Sequence, residues 1–311
     1  MERDAWILAR RPERKVVDPL RPWAFFVEEE RCASGEVIPI ATVFLTNREC
    51  PWRCVMCDLW RNTLPESAPA GAIPSQIDYA LAHLGPARQI KLYNSGSFFD
   101  RRAIPPEEYP VIVSRLAAFE RVIVECHPAL VGRDCLEFNE RLDGSLEVAM
   151  GLETVQPEIL SRLNKRMTVE QFEEAARRLR NEDVDLRVFI LVKPPFMKEE
   201  GSVEWAARSL DFAFDCGATA ASLIPTRAGN GAMEELSAIG EFSPPSLASV
   251  EAAAAYGISL GRGRVFVDLW ALGQQPRCNA CQEARVARLR AMNLEQRVTP
   301  LVDCELCGGR S

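Results

Sequence analysis

The chain has 311 residues, 47% hydrophobic and 26% charged, which is enough to bury the core of one large domain and too apolar for a disordered chain. A net charge of −7 argues against a general nucleic-acid binder, although a local basic groove stays open. No apolar run approaches the roughly 18 residues of a membrane span, and the start, MERDAWILARRPERK, lacks the apolar stretch of a secretory signal. The expectation is a cytoplasmic protein without a membrane partner, in which 11 cysteines serve as metal or cluster ligands before they serve as disulfides.

Residues 1–37 read as an N-terminal arm rich in Pro and Arg. The first predicted strand is Ile38–Thr46, followed by a helix near Gln76–Leu84 in which Ile77, Leu81 and Leu84 share a face. Strands follow at Gln89–Asn94 and, after a helix near Glu107–Phe119, at Arg121–Cys126 and Leu146–Gly151. Thr168 with Gln171 three residues on reads as a capping box, opening a helix that buries Val169, Phe172, Ala176 and Leu179. A strand at Leu186–Val192 precedes a helix capped by Ser202 and running through Phe214. Ala220–Ile224, a helix over Ser246–Leu260 and a late strand at Val265–Leu269 complete the pattern. Repeated strand-then-helix units predict a parallel sheet. Six of them predict a partial (β/α)6 TIM-type barrel over residues 38–235, with an open doubly wound sheet as the alternative. Such barrels carry their chemistry at the C-terminal ends of the strands. Residues 236–311 read as a small C-terminal extension.

The first strand runs into NRECPWRCVMCDLWRN, where Cys50, Cys54 and Cys57 follow C-x3-C-x2-C. Three thiolates fall short of a closed structural zinc site, which takes four ligands. The two histidines, His83 and His127, lie far off in sequence, and a zinc knuckle would have to borrow Cys32. A cubane cluster with three cysteine ligands leaves one iron free to chelate a cofactor. The other scattered cysteines, Cys126, Cys135 and Cys216, read as small buried residues.

The motif and its place after the first strand resemble the radical S-adenosylmethionine (SAM) superfamily. The resemblance implies a [4Fe–4S] cluster, SAM, and an electron donor such as a flavodoxin or ferredoxin. It implies one-electron cleavage of SAM to a 5′-deoxyadenosyl radical that abstracts hydrogen from substrate. It places Met56 against the adenine. It places the Asn94-Ser95-Gly96 turn against the SAM amino group through its backbone, since the family's usual glycine and glutamate are absent from NSGSFFD. The stretch GLETVQPEILSRLNKRMT is similar to one in the Elongator catalytic subunit and the oxygen-independent coproporphyrinogen oxidases. There Glu153 would contact SAM, and Lys165, beside Arg166, would stand where the family has an arginine for the SAM carboxylate, without that residue's bidentate fork. A solvated helix-entry charge pair is the plainer reading of Lys165 and Arg166.

Glu125 and His127 in VECHP point to one face and suit either a SAM or substrate contact or a rim hydrogen-bond network, with His127 a candidate acid or base. Lys193 in FILVKPPF suits SAM, an anionic substrate group, or a rim position reaching for solvent. Together NSGSFFD, GLET and LVKPPF resemble the archaeosine-biosynthesis radical SAM proteins, whose branch cleaves a lysine adduct on a deazaguanine base of tRNA. The acidic chain lacks an obvious basic RNA-binding appendage, so the expectation is related chemistry on a different substrate, with a modified tRNA base or nucleoside as the candidate class. The same chemistry on a small metabolite or peptide, and a non-catalytic Fe–S or zinc redox protein, are the alternatives.

At the tail, Cys278 and Cys281 (CNAC) and Cys304 and Cys307 (CELC) flank a short helix. Four thiolates make a complete tetrahedral set for zinc, with a second Fe–S cluster as the alternative.

Overall fold

The computed structural model describes residues 2–270, 272 and 278–307. Eight strands form one sheet in chain order: β1 (Ala24–Arg31), β2 (Val37–Phe44), β3 (Gln89–Tyr93), β4 (Arg121–Glu125), β5 (Ser145–Glu153), β6 (Asp185–Val192), β7 (Ala220–Pro225) and β8 (Arg264–Val267). From β2 to β8 every pairing is parallel; β1 is antiparallel to β2. The helices are α1 (Glu2–Leu8), α2 (Ala72–His83), α3 (Tyr109–Leu116), α4 (Arg133–Arg141), α5 (Pro157–Arg162), α6 (Val169–Asn181), α7 (Glu199–Asp215), α8 (Ala232–Ala238), α9 (Leu247–Ser259) and α10 (Gln282–Glu295).

The result is a partial, curled (β/α) barrel with a distinct C-terminal cysteine cluster, as the alternating pattern predicts. The predicted strands appear within two residues of their ends. The Thr168–Gln171 capping box is present in both directions. Ser202 does not cap its helix. The helix begins earlier, at Glu199, and the Ser202 hydroxyl donates inside it to the Glu199 carbonyl at 2.7 Å. Glu199 and Glu200 sit in its first turn, where acidic side chains suit the helix dipole. The stretch read as an arm contains α1 and β1. The run FFVEEER hides β1, because its Glu28 and Glu30 face inward rather than to solvent.

Strand alternation sorts the side chains. Val43, Leu92, Val124, Val148, Val188, Ile190 and Leu223 are fully buried on the outer face against the helices. The inner face is ionic. Arg187 donates to Glu30 (2.6 Å) and Glu147 (2.5 Å), and Lys91 donates to Glu30 (2.6 Å) and Glu28 (2.8 Å). Glu147 also accepts from Arg121 and Arg264, each at 3.1 Å, and Arg121 bonds Asp185. Four carboxylates thus meet four cations across the lumen. Charge balance and full pairing are what make such burial tolerable. Because Glu30 on β1 meets Arg187 on β6, the sheet must curl.

β1 and β8 do not pair with each other, so a seam runs between them. α10 packs on both strands. Its Asn293 side chain bonds the N–H and C=O of Val267 at 2.8 and 2.9 Å, and its Gln296 does the same to Val265 at 2.7 and 2.9 Å. Two side-chain amides therefore satisfy an edge that would otherwise be open to pairing. Arg285 and Arg288 fix α10 to Glu251 of α9 at 2.6 and 3.0 Å.

Burial alone would raise the Glu147 carboxyl; the Arg187, Arg264 and Arg121 guanidiniums outweigh it and hold it at about 2. A carboxyl depressed by folding stabilises the fold above its ordinary range near 4.5 and loses that contribution as pH falls towards 2. Denaturant titrations should show stability falling through that window. Glu147→Gln should remove about 3–5 kcal/mol at neutral pH, because buried guanidiniums lose their partner.

Candidate active site

The cysteine loop leaves β2 at its C-terminal end and is held from several sides. Gln76 of α2 pairs its amide with both the N–H and the C=O of Thr46, each at 2.7 Å. Leu64 N–H donates to Asn47 O at 2.8 Å and Glu49 N–H to Leu64 O at 3.0 Å, closing the loop's base. Asn164 donates to Arg53 O at 2.7 Å, and Asn230 donates to Val55 O and Cys57 O at 2.8 and 3.0 Å. The Glu49 carboxylate meets Arg11, Arg14 and Arg53 at 2.6, 2.5 and 3.1 Å. Burial opposes its charge, yet the bonds from Arg11 and Arg14 hold its carboxyl below the usual range. Two of these arginines come from the chain before β1, so that stretch is part of the loop's housing.

Cys50, Cys54 and Cys57 are free thiols on this loop. Burial pushes each up to about 12, and each lies within electrostatic reach of another of the three. Gly96 comes so close that a β-carbon there would lie 3.2 Å from the Cys50 β-carbon.

The Asn94-Ser95-Gly96 turn ends β3. Its backbone N–H groups all point to the Glu125 carboxylate, with Asn94 N–H at 2.9 Å. Burial raises that carboxyl to about 7 against these bonds. The side-chain amide of Asn94 and the hydroxyl of Ser95 are buried without a partner among the described residues, and buried polar groups usually find one in protein, water or ligand.

Glu153 and Lys165 form a buried pair at 2.6 Å. A register shift between Gly151 and Glu153 ends β5, and such a bulge re-aims the side chain that follows. A β-carbon on Gly151 would lie 2.2 Å from Glu153 Oε1 and 2.4 Å from Lys165 Nζ. A larger residue here would have to push the tips of this pair aside. Burial opposes the Lys165 charge, but Glu153, and behind it Cys54 and Cys50, hold its pKa above the ordinary value. Lys165 therefore stands as a cation beside the thiols. Its neighbour Arg166 turns away to Asp4 of α1.

Three strand-end residues have left-handed backbones, Ser95 (φ 56°), Glu153 (67°) and Lys193 (54°), as do Asn164 (59°) and Arg166 (56°) around Lys165. Non-glycine residues in this region are uncommon and gather where a site imposes them.

His127 stacks on Trp52, between the first two cysteines, with ring centroids 3.7 Å apart. Its Nδ1 accepts from Ala129 N–H at 3.2 Å, so the proton sits on Nε2 and goes to Lys165 O at 3.1 Å. Burial, with Lys165 behind it, drops its pKa to about 3, so the ring is neutral and both nitrogens are engaged. Lys193 is drawn outwards: its ammonium meets Glu199, Ser243 Oγ and Pro244 O at 2.8, 2.7 and 3.3 Å. Met56 packs with Val55, Ile7 and Met233 beneath the loop. The sequence reading passed over Arg227, which links Asp58, next to Cys57, to Asp268 after β8 at 3.4 and 3.6 Å. Nothing in the local pattern marks that residue.

At the tail, Cys278, Cys281, Cys304 and Cys307 bring four sulfurs within 4.8 Å of one another. Two pairs lie 3.7 and 3.6 Å apart. A tetrahedron of sulfurs about 2.3 Å from one ion has edges of about 3.8 Å, so the set fits a single metal ion.

The curled barrel and the loop at its mouth define the class. The superfamily model for radical SAM proteins matches residues 44–205, more than half of the chain, and the chain belongs to that superfamily. It is a radical SAM enzyme, cleaving SAM by way of an iron–sulfur cluster. Among curated relatives, an uncharacterized protein of Methanocaldococcus jannaschii is 26% identical over 254 residues, covering 76% of this chain and 70% of that one. The archaeosine synthase subunit beta of Methanosarcina acetivorans is 28% identical over 223 residues, covering 67% and 64%. Among solved structures, Streptococcus suis SuiB bound to its precursor peptide SuiA has a TM-score of 0.54 at 11% identity, covering 71% of this chain and 47% of that one. Methylornithine synthase has a TM-score of 0.52 at 12% identity, covering 73% and 64%. These two likenesses are of fold.

Gly151→Ala should displace the Glu153–Lys165 pair. Thermal unfolding should fall by several degrees, as expected for about 1–3 kcal/mol from overpacking a buried site, while Gly85→Ala, with open space around it and no left-handed backbone, serves as the control for a simple glycine effect.

Proposed function

We propose that Cys50, Cys54 and Cys57 hold a [4Fe–4S] cluster and that SAM lies across the mouth of the barrel between that loop and the ends of β3 and β5. One observation carries this reading. Three half-buried free thiols share a site with a buried cation, Lys165, and with the orphaned side chains of Asn94 and Ser95. When bound, the cluster supplies the electron that breaks the SAM C5′–S bond and yields a 5′-deoxyadenosyl radical. The chain's residues do the rest. Lys165, held by Glu153, offers a positive charge for the SAM carboxylate. Glu125 occupies the N–H groups of the Asn94–Gly96 turn, which leaves carbonyls and the Asn94 and Ser95 side chains for the SAM ammonium and ribose. Met56 offers an apolar side chain for the adenine. Lys193, with its donors taken, acts as a brace for the loop after β6 rather than as a contact.

The substrate we favour is a modified tRNA base or nucleoside. The support is the similarity, over two thirds of this chain, to an archaeosine synthase subunit beta, together with the resemblance of NSGSFFD, GLET and LVKPPF to that branch. A flavodoxin or ferredoxin would supply the electron. Residues 38–235 form the catalytic core on this reading, with β1 and β8 added from the flanking stretches.

The tail thiols we assign to zinc. A cubane places each thiolate on a different iron and spreads the sulfurs beyond a single ion's tetrahedron, whereas the tail sulfurs are gathered to that tetrahedron. Zinc there would anchor both ends of α10, and so the cover of the seam.

Anaerobically reconstituted protein with a reductant and SAM should yield 5′-deoxyadenosine. Cys54→Ala should lose the cluster absorbance and all product, and Lys165→Ala should weaken SAM binding at least tenfold while keeping its iron. Absence of 5′-deoxyadenosine from cluster-loaded wild type contradicts the assignment. Cys304→Ser should lose one zinc per chain by metal analysis and lower the melting temperature, leaving front-cluster iron in place. Iron rather than zinc in the wild-type tail would overturn that assignment.

A further inference from the structure

The lumen above the ionic layer holds groups that SAM binding does not use. Phe44, Tyr93 and Phe189 project into it from β2, β3 and β6, with ring centroids 5.9 and 6.2 Å apart in turn and edge-to-face packing. All three are only half buried, unlike the fully buried residues on the outer face of the same strands. Ser222 of β7 stands beside Phe189 in the register. It is 8% exposed, and its hydroxyl has no partner among the described residues.

Two carboxylates complete the wall at the seam. Arg264 of β8 donates to Arg31 O of β1 at 3.5 Å, so the two free edges lie within one side chain's reach. Glu28, three residues from Arg31 on β1, and Asp268, four past Arg264, come within electrostatic reach of each other across the gap. Glu28 spends one oxygen, Oε1, on both Lys91 and Thr42, at 2.8 Å each. Its Oε2 makes no bond among the described residues, and the side chain is 41% exposed. Asp268 Oδ1 accepts from Trp270 N–H at 2.8 Å, while among the described residues Oδ2 has only Arg227 at 3.6 Å. Glu28 is close enough for its charge to add to the burial that raises the Asp268 carboxyl. Two acceptor oxygens therefore face a space walled by aromatic rings, with one hydroxyl left over.

We propose that this is the substrate-reading site, and that it takes a planar heterocycle presenting two neighbouring N–H donors. The ring packs against Tyr93 and Phe189, its donors go to Glu28 Oε2 and Asp268 Oδ2, and Ser222 meets a third polar atom. This rests on the nucleoside reading above and adds the residues that select the base. A ring with one donor leaves one of the two carboxylate oxygens without a partner from the ring, and a ring whose edge is mostly acceptors faces two carboxylates. Such mismatches are what give polar sites their discrimination.

The test uses cluster-loaded protein with SAM and measures nucleoside binding by saturation-transfer NMR. Guanosine, with two adjacent donors, is compared with inosine, which lacks one, and with uridine. Guanosine should bind about tenfold more tightly than either. Asp268→Asn and Glu28→Gln should each erase most of that preference, with iron content and melting temperature confirming that the variants are folded. Equal binding of the three nucleosides, no binding, or an unchanged preference in both folded variants overturns the site. If wild type selects guanosine but forms no 5′-deoxyadenosine, the radical reading falls and the pocket stands.

Discussion

A charge-balanced layer of ion pairs inside the lumen sets the curvature on which the site depends. Glu30 reaches from the first strand to Arg187 on the sixth, and Glu147 gathers Arg121, Arg187 and Arg264 from three others. A sheet of eight strands with this inner face cannot lie flat, because each charge would lose its partner in a medium where an unpaired ion is costly. Curling brings the ends of β2, β3, β5 and β7 together over one opening. The cysteine loop is then held by groups from all of them, through Thr46, Gly96, Asn164 and Asn230.

The site itself combines rigidity with unmet demand. Strained backbones at Ser95, Glu153 and Lys193 and the bulge in β5 aim particular side chains, and Gly151 clears the space that Glu153 and Lys165 share. Against that frame, the Asn94 and Ser95 side chains have no partner among the described residues and three half-buried free thiols stand together. Other buried polar atoms of the chain also lack partners, but these stand at the strand end beside the cysteine loop and Lys165, where a ligand would complete them. His127 belongs to the frame: by stacking on Trp52 and bonding the Lys165 carbonyl it fixes the cysteine loop against the cation.

Much of this was legible in the sequence for simple reasons. Parallel strands buried on their outer face read as short β-branched runs, and C-x3-C-x2-C after the first such run is a local spacing. The capping box at Thr168 is local as well. What escaped is long-range. β1 reads as a charged arm because its glutamates find their cations 61 and 157 residues away. Asn293 and Gln296 look like ordinary helix residues until they are seen pairing with β8. Left-handed backbones at Ser95, Glu153 and Lys193 carry no sequence signature, since glycine is the residue that usually announces them. Ser202 was misread because a serine three residues into a helix resembles a cap when the true start is marked only by acidic charge.

The central claim is that the three front cysteines leave one iron of a cluster open and that SAM binds to it beside Lys165. Electron–nuclear double resonance on the reduced, cluster-loaded protein with SAM labelled with nitrogen-15 in its amino group and oxygen-17 in its carboxylate tests this directly. Resolved couplings to both nuclei, lost in Cys54→Ala, are the predicted result. A reduced cluster that shows neither coupling at saturating SAM would contradict the account.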